Sequence, residues 1–204
     1  MSDATVPCRY VTNELLSRLD PSCRLEEFFA LLTKENERVN LVSRETIGSG
    51  LPQLAAESLV PLESVDRDSF ERYLDIGSGG GFPSIPILLT SEITQTTLVE
   101  RTQKKATALK RMSDAMNLNV HIAPVTLEDL PQSDVRYDLI TMRLVRLTPR
   151  LLRRIIPRLS PGGVFIYYAQ SDLVVPDDSV TSRVESFQDE QERIKNVTLY
   201  CRKV

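Results

Sequence analysis

Apolar positions along the chain change period near residue 70. Before it they recur at helical spacing, with Leu25, Phe28, Phe29, Leu32 and Val39 on one stripe. A short helix is predicted at 13–19, and Asp20-Pro21 reads as the cap and first-turn pair of a second helix that carries the stripe. A polar stretch at 36–43 passes into a loop, a third helix is predicted from about 52 to 63, and residues 1–12 read as a frayed start. After Tyr73 short apolar runs alternate with helical segments. Strands are predicted at 72–76, 96–100, 119–123, 137–142 and 164–168, helices at 83–90, 102–117 and 148–159, and a turn or short helix near 126–130. That alternation builds a mostly parallel sheet with right-handed crossovers and helices on both faces, an α/β fold. The tail differs: a polar loop at 171–178 leads into strands at 183–188 and 193–202, a closing antiparallel hairpin. The chain thus divides into an N-terminal helical cap, 1–66, and an α/β domain, 67–204, making one compact unit.

The stretch from Arg72 to Pro86 organises the rest. Tyr73, Leu74 and Ile76 suit a buried strand, and the glycines after them let the backbone turn sharply and approach a ligand. Pro83 and Pro86 fit the first turn of the following helix, where backbone N–H groups have no helical partner. Strand, glycine turn and helix N-terminus form a nucleotide-handling arrangement. A dinucleotide fingerprint needs a third glycine where this chain has Phe82, and a Walker loop needs a Gly-Lys-Ser/Thr that does not follow. What stands instead, Asp75-x-Gly77-x-Gly79-x-Gly81, resembles class I S-adenosylmethionine-dependent methyltransferases. In that Rossmann-like fold the loop curls beneath the methionine part of a cofactor without phosphates. The glycines alone also fit a plain turn.

Composition narrows the chemistry. A net charge of -3 over 204 residues gives no overall polycation, so nucleic-acid contact needs a local basic patch. Cys8, Cys23 and Cys201 are odd in number and form no Cys-x-x-Cys, which argues against a disulfide frame or a zinc site. With no membrane-length apolar run and no signal-peptide core in the opening residues, a cytoplasmic protein without membrane or metal partners is expected. The single histidine, His121, lies in a strand-like alternation and leaves no histidine for a hydrolytic triad or a histidine-rich metal site.

Several residues could carry chemistry. Glu100 ends the second strand of the α/β region, where one carboxylate can meet two ribose hydroxyls, or is a charged strand end. Leu127 and Glu128 follow the third strand, either beside an adenine or in a helix N-terminus suited to acids. Arg143 follows the fourth strand at the sheet's carboxyl edge. Arg146, Arg150, Arg153, Arg154 and Arg158 come next, a phosphate-binding surface or a solvated face, with solvation favoured for most. Arg101, Lys104, Lys105, Lys110 and Arg111 form a second basic cluster open to the same two readings.

With these residues placed, the chain resembles the ribosomal RNA small subunit methyltransferase G family, also called glucose-inhibited division protein B. Asn40-Leu-Val-Ser43, Leu74-Asp-Ile-Gly-Ser-Gly-Gly-Gly-Phe-Pro-Ser-Ile-Pro86 and Arg143 carry the match, with weaker support from Glu100, Leu127-Glu128 and Tyr200-Cys-Arg-Lys203. The resemblance implies S-adenosylmethionine as cofactor and methyl transfer to N7 of a guanine in 16S rRNA, with the small ribosomal subunit as partner; a monomer is expected. The resemblance places Gly77, Phe82, Leu127, Glu128 and Arg143 around the cofactor. Asp75, Gly79, Gly81 and Glu100 complete the expected cofactor set, and Arg143 and Arg146 the substrate contacts. No general base is assigned. Members usually carry a basic residue and a histidine ahead of an Asp-Ser pair, where this chain reads Gln53-Leu-Ala-Ala-Glu-Ser58, and a lysine where it reads Tyr168-Ala-Gln170. The alternatives are a diverged methyltransferase with another substrate and a non-catalytic cofactor- or RNA-binding relative.

Overall fold

The fold is one sheet of eight strands, seen in a computed structural model that describes residues 7–131, 134–175 and 177–204. The expectations for residues 1–6 and for Pro176 of the tail loop lie outside the described residues. In chain order the strands are β1 Cys8–Arg9, β2 Arg72–Ile76, β3 Gln95–Val99, β4 Val120–Ala123, β5 Tyr137–Met142, β6 Leu159–Tyr167, β7 Val180–Gln188 and β8 Ile194–Arg202. They stand in the order β1-β7-β8-β6-β5-β2-β3-β4. Only β8 is antiparallel to its neighbours, β6 and β7; the other pairings are parallel. From β2 the chain moves outward to β3 and β4, then returns to β5 on the other side of β2. The crevice beyond the carboxyl ends of β2 and β5 is therefore the topological switch point, the usual place for a ligand in an open α/β sheet.

Strand parity distributes the core. In β2, Leu74 and Ile76 join one apolar cluster with Leu151, Leu152 and Ile155 of helix α6, Pro149–Ile155. Tyr73 joins the opposite cluster with residues of α1 Thr12–Leu19, α2 Arg24–Asn36, α3 Leu51–Leu59, α4 Ser84–Leu89 and α5 Gln103–Ala115. The helical N-terminal segment and the sheet thus share a core, with Phe28, Leu32 and Leu59 fully buried. Each such side chain contributes about 1.5–3 kcal/mol, against about 1 kcal/mol for a helix cap, so packing holds the N-terminal helices.

Local chemistry shifts several expected boundaries. Residues 8–9, expected to fray, add β1 beside Phe187 and Gln188. Helix α2 begins at Arg24, not at Pro21; Asp20 ends α1 and reaches forward to accept the Leu25 N–H at 2.7 Å. The third helix is flanked by a π-turn at Thr46–Gly50 and a 3-10 turn at Val60–Ser64. Pro83 occupies the N-cap of α4 instead of its first turn, whereas Pro86 lies in that turn. Strand β6 starts at Leu159, opposite Tyr137, five residues before the expected 164. Arg158, expected to be solvated, is buried and donates to the carbonyls of Arg154 and Leu130.

An ion pair joins α2 of the cap to α5 of the α/β region. Glu35, at the end of α2, accepts from Arg111 Nε of α5 at 3.1 Å, and that hydrogen bond, ahead of burial, holds its carboxyl below the ordinary 4.5. A depressed folded-state value means the stabilisation is present above 4.5 and is lost as pH falls through the lowered value. Glu35→Gln is expected to cost about 1–2 kcal/mol at neutral pH, since Arg111 is partly exposed. Urea titrations of both proteins should show the gap closing as pH drops below 4.5.

Candidate functional site

Strand β2 runs straight into the glycine turn. Gly77, at φ +78, turns the chain in the left-handed region, and the N–H groups of Gly77 and Ser78 donate to the Val99 carbonyl at 2.8 and 3.0 Å. This pins the turn to the end of β3. Gly81, at φ +91, serves packing: a Cβ there would stand 2.7 Å from Ile85 Cδ1 and 3.3 Å from Phe28 Cζ.

Glu100, the residue after β3, holds the turn from the side. Its Oε2 accepts the Gly79 N–H at 3.0 Å and its Oε1 the Thr102 N–H at 2.7 Å, just ahead of α5. A carboxylate offers about four lone-pair directions. Two remain for a ligand.

Above the turn opens a cavity of about 630 Å³ at the carboxyl ends of the central strands. Gly77, Gly79 and Phe82 line it from the turn and Glu100 from the side; Val99, Val125 and Leu127 add apolar wall, with Glu128 beside them. Arg143 and Arg146 line it from the segment after β5. Leu127 is buried, whereas Glu128 is exposed and its carbonyl accepts from Arg154 Nη1 at 3.2 Å.

Two expected cofactor residues stand outside this wall. Gly81 faces Ile85 and Phe28, as above. Asp75 is fully buried behind the turn, because alternation along β2 puts it on the Tyr73 face, away from the face of Leu74 and Ile76. There it pairs in register with Thr141, whose hydroxyl donates to Asp75 Oδ1 at 2.7 Å, and Tyr73 Oη lies 2.7 Å from the same hydroxyl. Burial pushes the Asp75 carboxyl up to about 6 despite that hydrogen bond.

Arg143 is held firmly. Its Nη2 donates to Glu57 Oε2 of α3 at 2.6 Å, and its guanidinium carbon lies 5.8 Å from the centre of the Tyr168 ring. The Tyr168 hydroxyl donates to the Ser58 carbonyl at 2.5 Å, and burial raises its pKa, so it stays neutral. Arg143 Nη1 is buried with no partner, a donor left over beside the cavity. Lys195 Nζ lies 3.7 Å from the other oxygen of Glu57.

Comparison with known proteins settles the kinship. The sequence profile of the rRNA small subunit methyltransferase G family matches residues 22–199. The chain belongs to this family. A ribosomal RNA small subunit methyltransferase G from Deinococcus deserti is 31% identical over 168 residues, covering 78% of this chain and 68% of that protein. One of the same name from Helicobacter pylori is 33% identical over 150 residues, 73% of this chain and 82% of its own length. Among solved structures, an O-methyltransferase from Bacillus cereus in complex with SAH superposes with TM-score 0.63 at 15% identity, covering 87% of this chain and 91% of that one. An O-methyltransferase from Streptomyces achromogenes in complex with SAM gives 0.58 at 14%, covering 87% and 90%. These likenesses show the class I methyltransferase fold.

The positions where this chain departs from the family pattern meet in one place. Gln53 Nε2 donates to Tyr10 Oη at 2.9 Å and to Asp189 Oδ2 at 3.0 Å, while its Oε1 accepts from Thr12 at 2.7 Å. Glu57 and Tyr168 hold Arg143. The network around Gln53 continues through Glu57, whose Oε1 lies 3.4 Å from Gln53 Nε2, to Arg143 at the cavity wall.

Sequence reasoning missed Glu57, Tyr168 and Val145 as site residues. Glu57 and Tyr168 were visible only as departures, and Val145, which would lie 2.6 Å from a Cβ on Gly77, carries no motif at all. Leu41 and Val42, in the quoted 40–43 motif, line the cavity beside the glycine turn. Removing Glu57 leaves a buried guanidinium unpaired, so Glu57→Ala should cost about 2–4 kcal/mol in chemical denaturation. A double-mutant cycle with Arg143→Ala should return a coupling of about 1–3 kcal/mol; additive effects would mean the pair does not act as a unit.

Proposed function

We propose that this chain transfers the methyl group of S-adenosylmethionine to N7 of a guanine in 16S rRNA, in the cavity above residues 77–82. The observation that carries the reading is Glu100: two of its lone pairs fix the glycine turn and the start of α5, and two are free at the cavity wall. That matches the paired hydroxyls of a ribose. The apolar wall of Val99, Val125 and Leu127 suits an adenine ring, and the glycine turn leaves room for a methionine chain beside the unpartnered Nη1 of Arg143.

When bound, the cofactor supplies a sulfonium-activated methyl group. Guanine N7 has an accessible lone pair and no proton to lose, so the protein's work is alignment and exclusion of water, not proton transfer. A cavity without a histidine fits that demand. Arg101, Lys105 and Arg146 line the same cavity and provide the local positive charge that a chain of net charge -3 needs to meet a phosphate backbone. Its place of action is then the cytoplasm, on the small ribosomal subunit.

Calorimetry with S-adenosylmethionine tests the cofactor site. The wild type should bind; Glu100→Gln should lose roughly 10- to 100-fold in affinity, as expected for a charged hydrogen-bond acceptor, and Gly77→Arg should not bind. No binding by the wild type would remove the cofactor assignment. For the substrate, 16S rRNA from a strain lacking this protein should lack one 7-methylguanine by mass spectrometry, and an unchanged modification profile would remove the guanine-N7 assignment.

A further inference from the structure

Leu144 is the anomaly at the cavity. It follows Arg143 directly, lines the cavity, and is 97% exposed, the most exposed large apolar side chain among the described residues apart from Val204 at the chain end. Its backbone sits at φ +59, in the left-handed region. The other described non-glycine residues with positive φ have local reasons: Cys23 caps α2, Asn117 follows the end of α5 and Glu192 turns the β7–β8 hairpin. Leu144 turns no hairpin and caps no helix. Its neighbours are committed, Arg143 to Glu57 and Tyr168 and Val145 against Gly77, while Leu144 alone is held out in water. A bulky residue in this conformation is strained and persists where its surroundings enforce it, which is common at ligand clamps.

We propose that Leu144 is the contact for the target purine base: it packs against the base, drawn out of its stack, as the base enters the cavity. This rests on the RNA methyltransferase reading above. A base inside folded RNA must be unstacked before its N7 can approach a methyl donor held in a cleft, and the unstacked ring needs an apolar surface in exchange. Proteins supply that surface with leucine, isoleucine, methionine or phenylalanine wedges, or with stacking rings. The described rim carries no exposed aromatic ring; Leu144 is its one fully exposed apolar side chain. Arg146, two residues on and exposed, stands where it can meet the adjoining phosphates.

The test compares wild type, Leu144→Ala, Leu144→Gly and Leu144→Phe in methyl transfer to small ribosomal subunits from a strain lacking the protein, with S-adenosylmethionine affinity and melting temperature measured in parallel. In Leu144→Ala and Leu144→Gly the KM for subunits should rise about tenfold while cofactor affinity stays within twofold. Leu144→Phe should stay near wild type in KM. Leu144→Gly should melt higher than wild type, since glycine relieves the strained conformation, so that stability rises as substrate recognition falls. A residue of merely structural importance would not move these two in opposite directions. Unchanged KM in Leu144→Ala and Leu144→Gly overturns the proposal with the methyltransferase reading intact, and a tenfold loss of cofactor affinity overturns it by making Leu144 part of the cofactor wall. A wild type that binds cofactor but methylates no subunit removes the RNA reading, and this proposal with it.

Discussion

The carboxylate of Glu100 sets the geometry on which the cleft depends. By accepting from Gly79 on one oxygen and from Thr102 on the other, it ties the turn after β2 to the start of α5 across the ends of two paired strands. A glycine turn without such a clamp would be free to collapse into the space above it, because glycine is the residue with least conformational restraint. The interaction is charge-assisted and almost wholly shielded from solvent, and so stronger than the same contact at an exposed site. Only half of the carboxylate's acceptor capacity is consumed. The group that shapes the site is therefore still able to bind in it.

Arg143 is positioned on the other side of the cavity by the opposite logic. It donates rather than accepts, and what fixes it comes from distant parts of the chain: Glu57 from the N-terminal helices and Tyr168 from the end of β6. Nη2 of the guanidinium is thereby paired with Glu57, and Nη1 is left buried without a partner. An arrangement of this kind costs stability in isolation and is tolerated where a ligand completes it. The N-terminal segment is thus part of the site: α3 supplies Glu57, while Leu41 and Val42 stand beside the glycine turn.

Much of the fold was legible in the sequence because it depends on period. The switch from helical spacing to short apolar runs near residue 70, the strand and helix alternation after it and the closing hairpin follow from local pattern, and the glycine spacing with Phe82 distinguished this loop from a dinucleotide turn. Gly77, Gly79, Phe82, Glu100, Leu127, Glu128, Arg143 and Arg146, which line the cavity, were singled out from the glycine motif, from positions after strand ends and from the family resemblance. What local pattern misjudged were ends and partners: Asp20 caps α2 from outside it, and β1 exists because the edge of β7 was available, which no feature of residues 8–9 announces.

By itself, then, the sequence determined the strand and helix alternation of an α/β fold and, through motifs that resemble known proteins, the class I architecture and the family, since each is carried by local stretches of chain, whereas the strand order that sets the switch point came from the tertiary structure. Only the tertiary structure decided which motif residues face the cleft. Asp75 and Gly81 belong to the motif and yet stand behind the turn, one because strand parity turns it toward Thr141, the other because α4 and Phe28 close over it. Tertiary structure also decided that Glu57 and Tyr168 meet on Arg143, and that Leu144 is left in strained exposure at the cavity. Those are contacts between segments far apart in sequence, and a one-dimensional pattern carries no record of what the chain will later bring beside it.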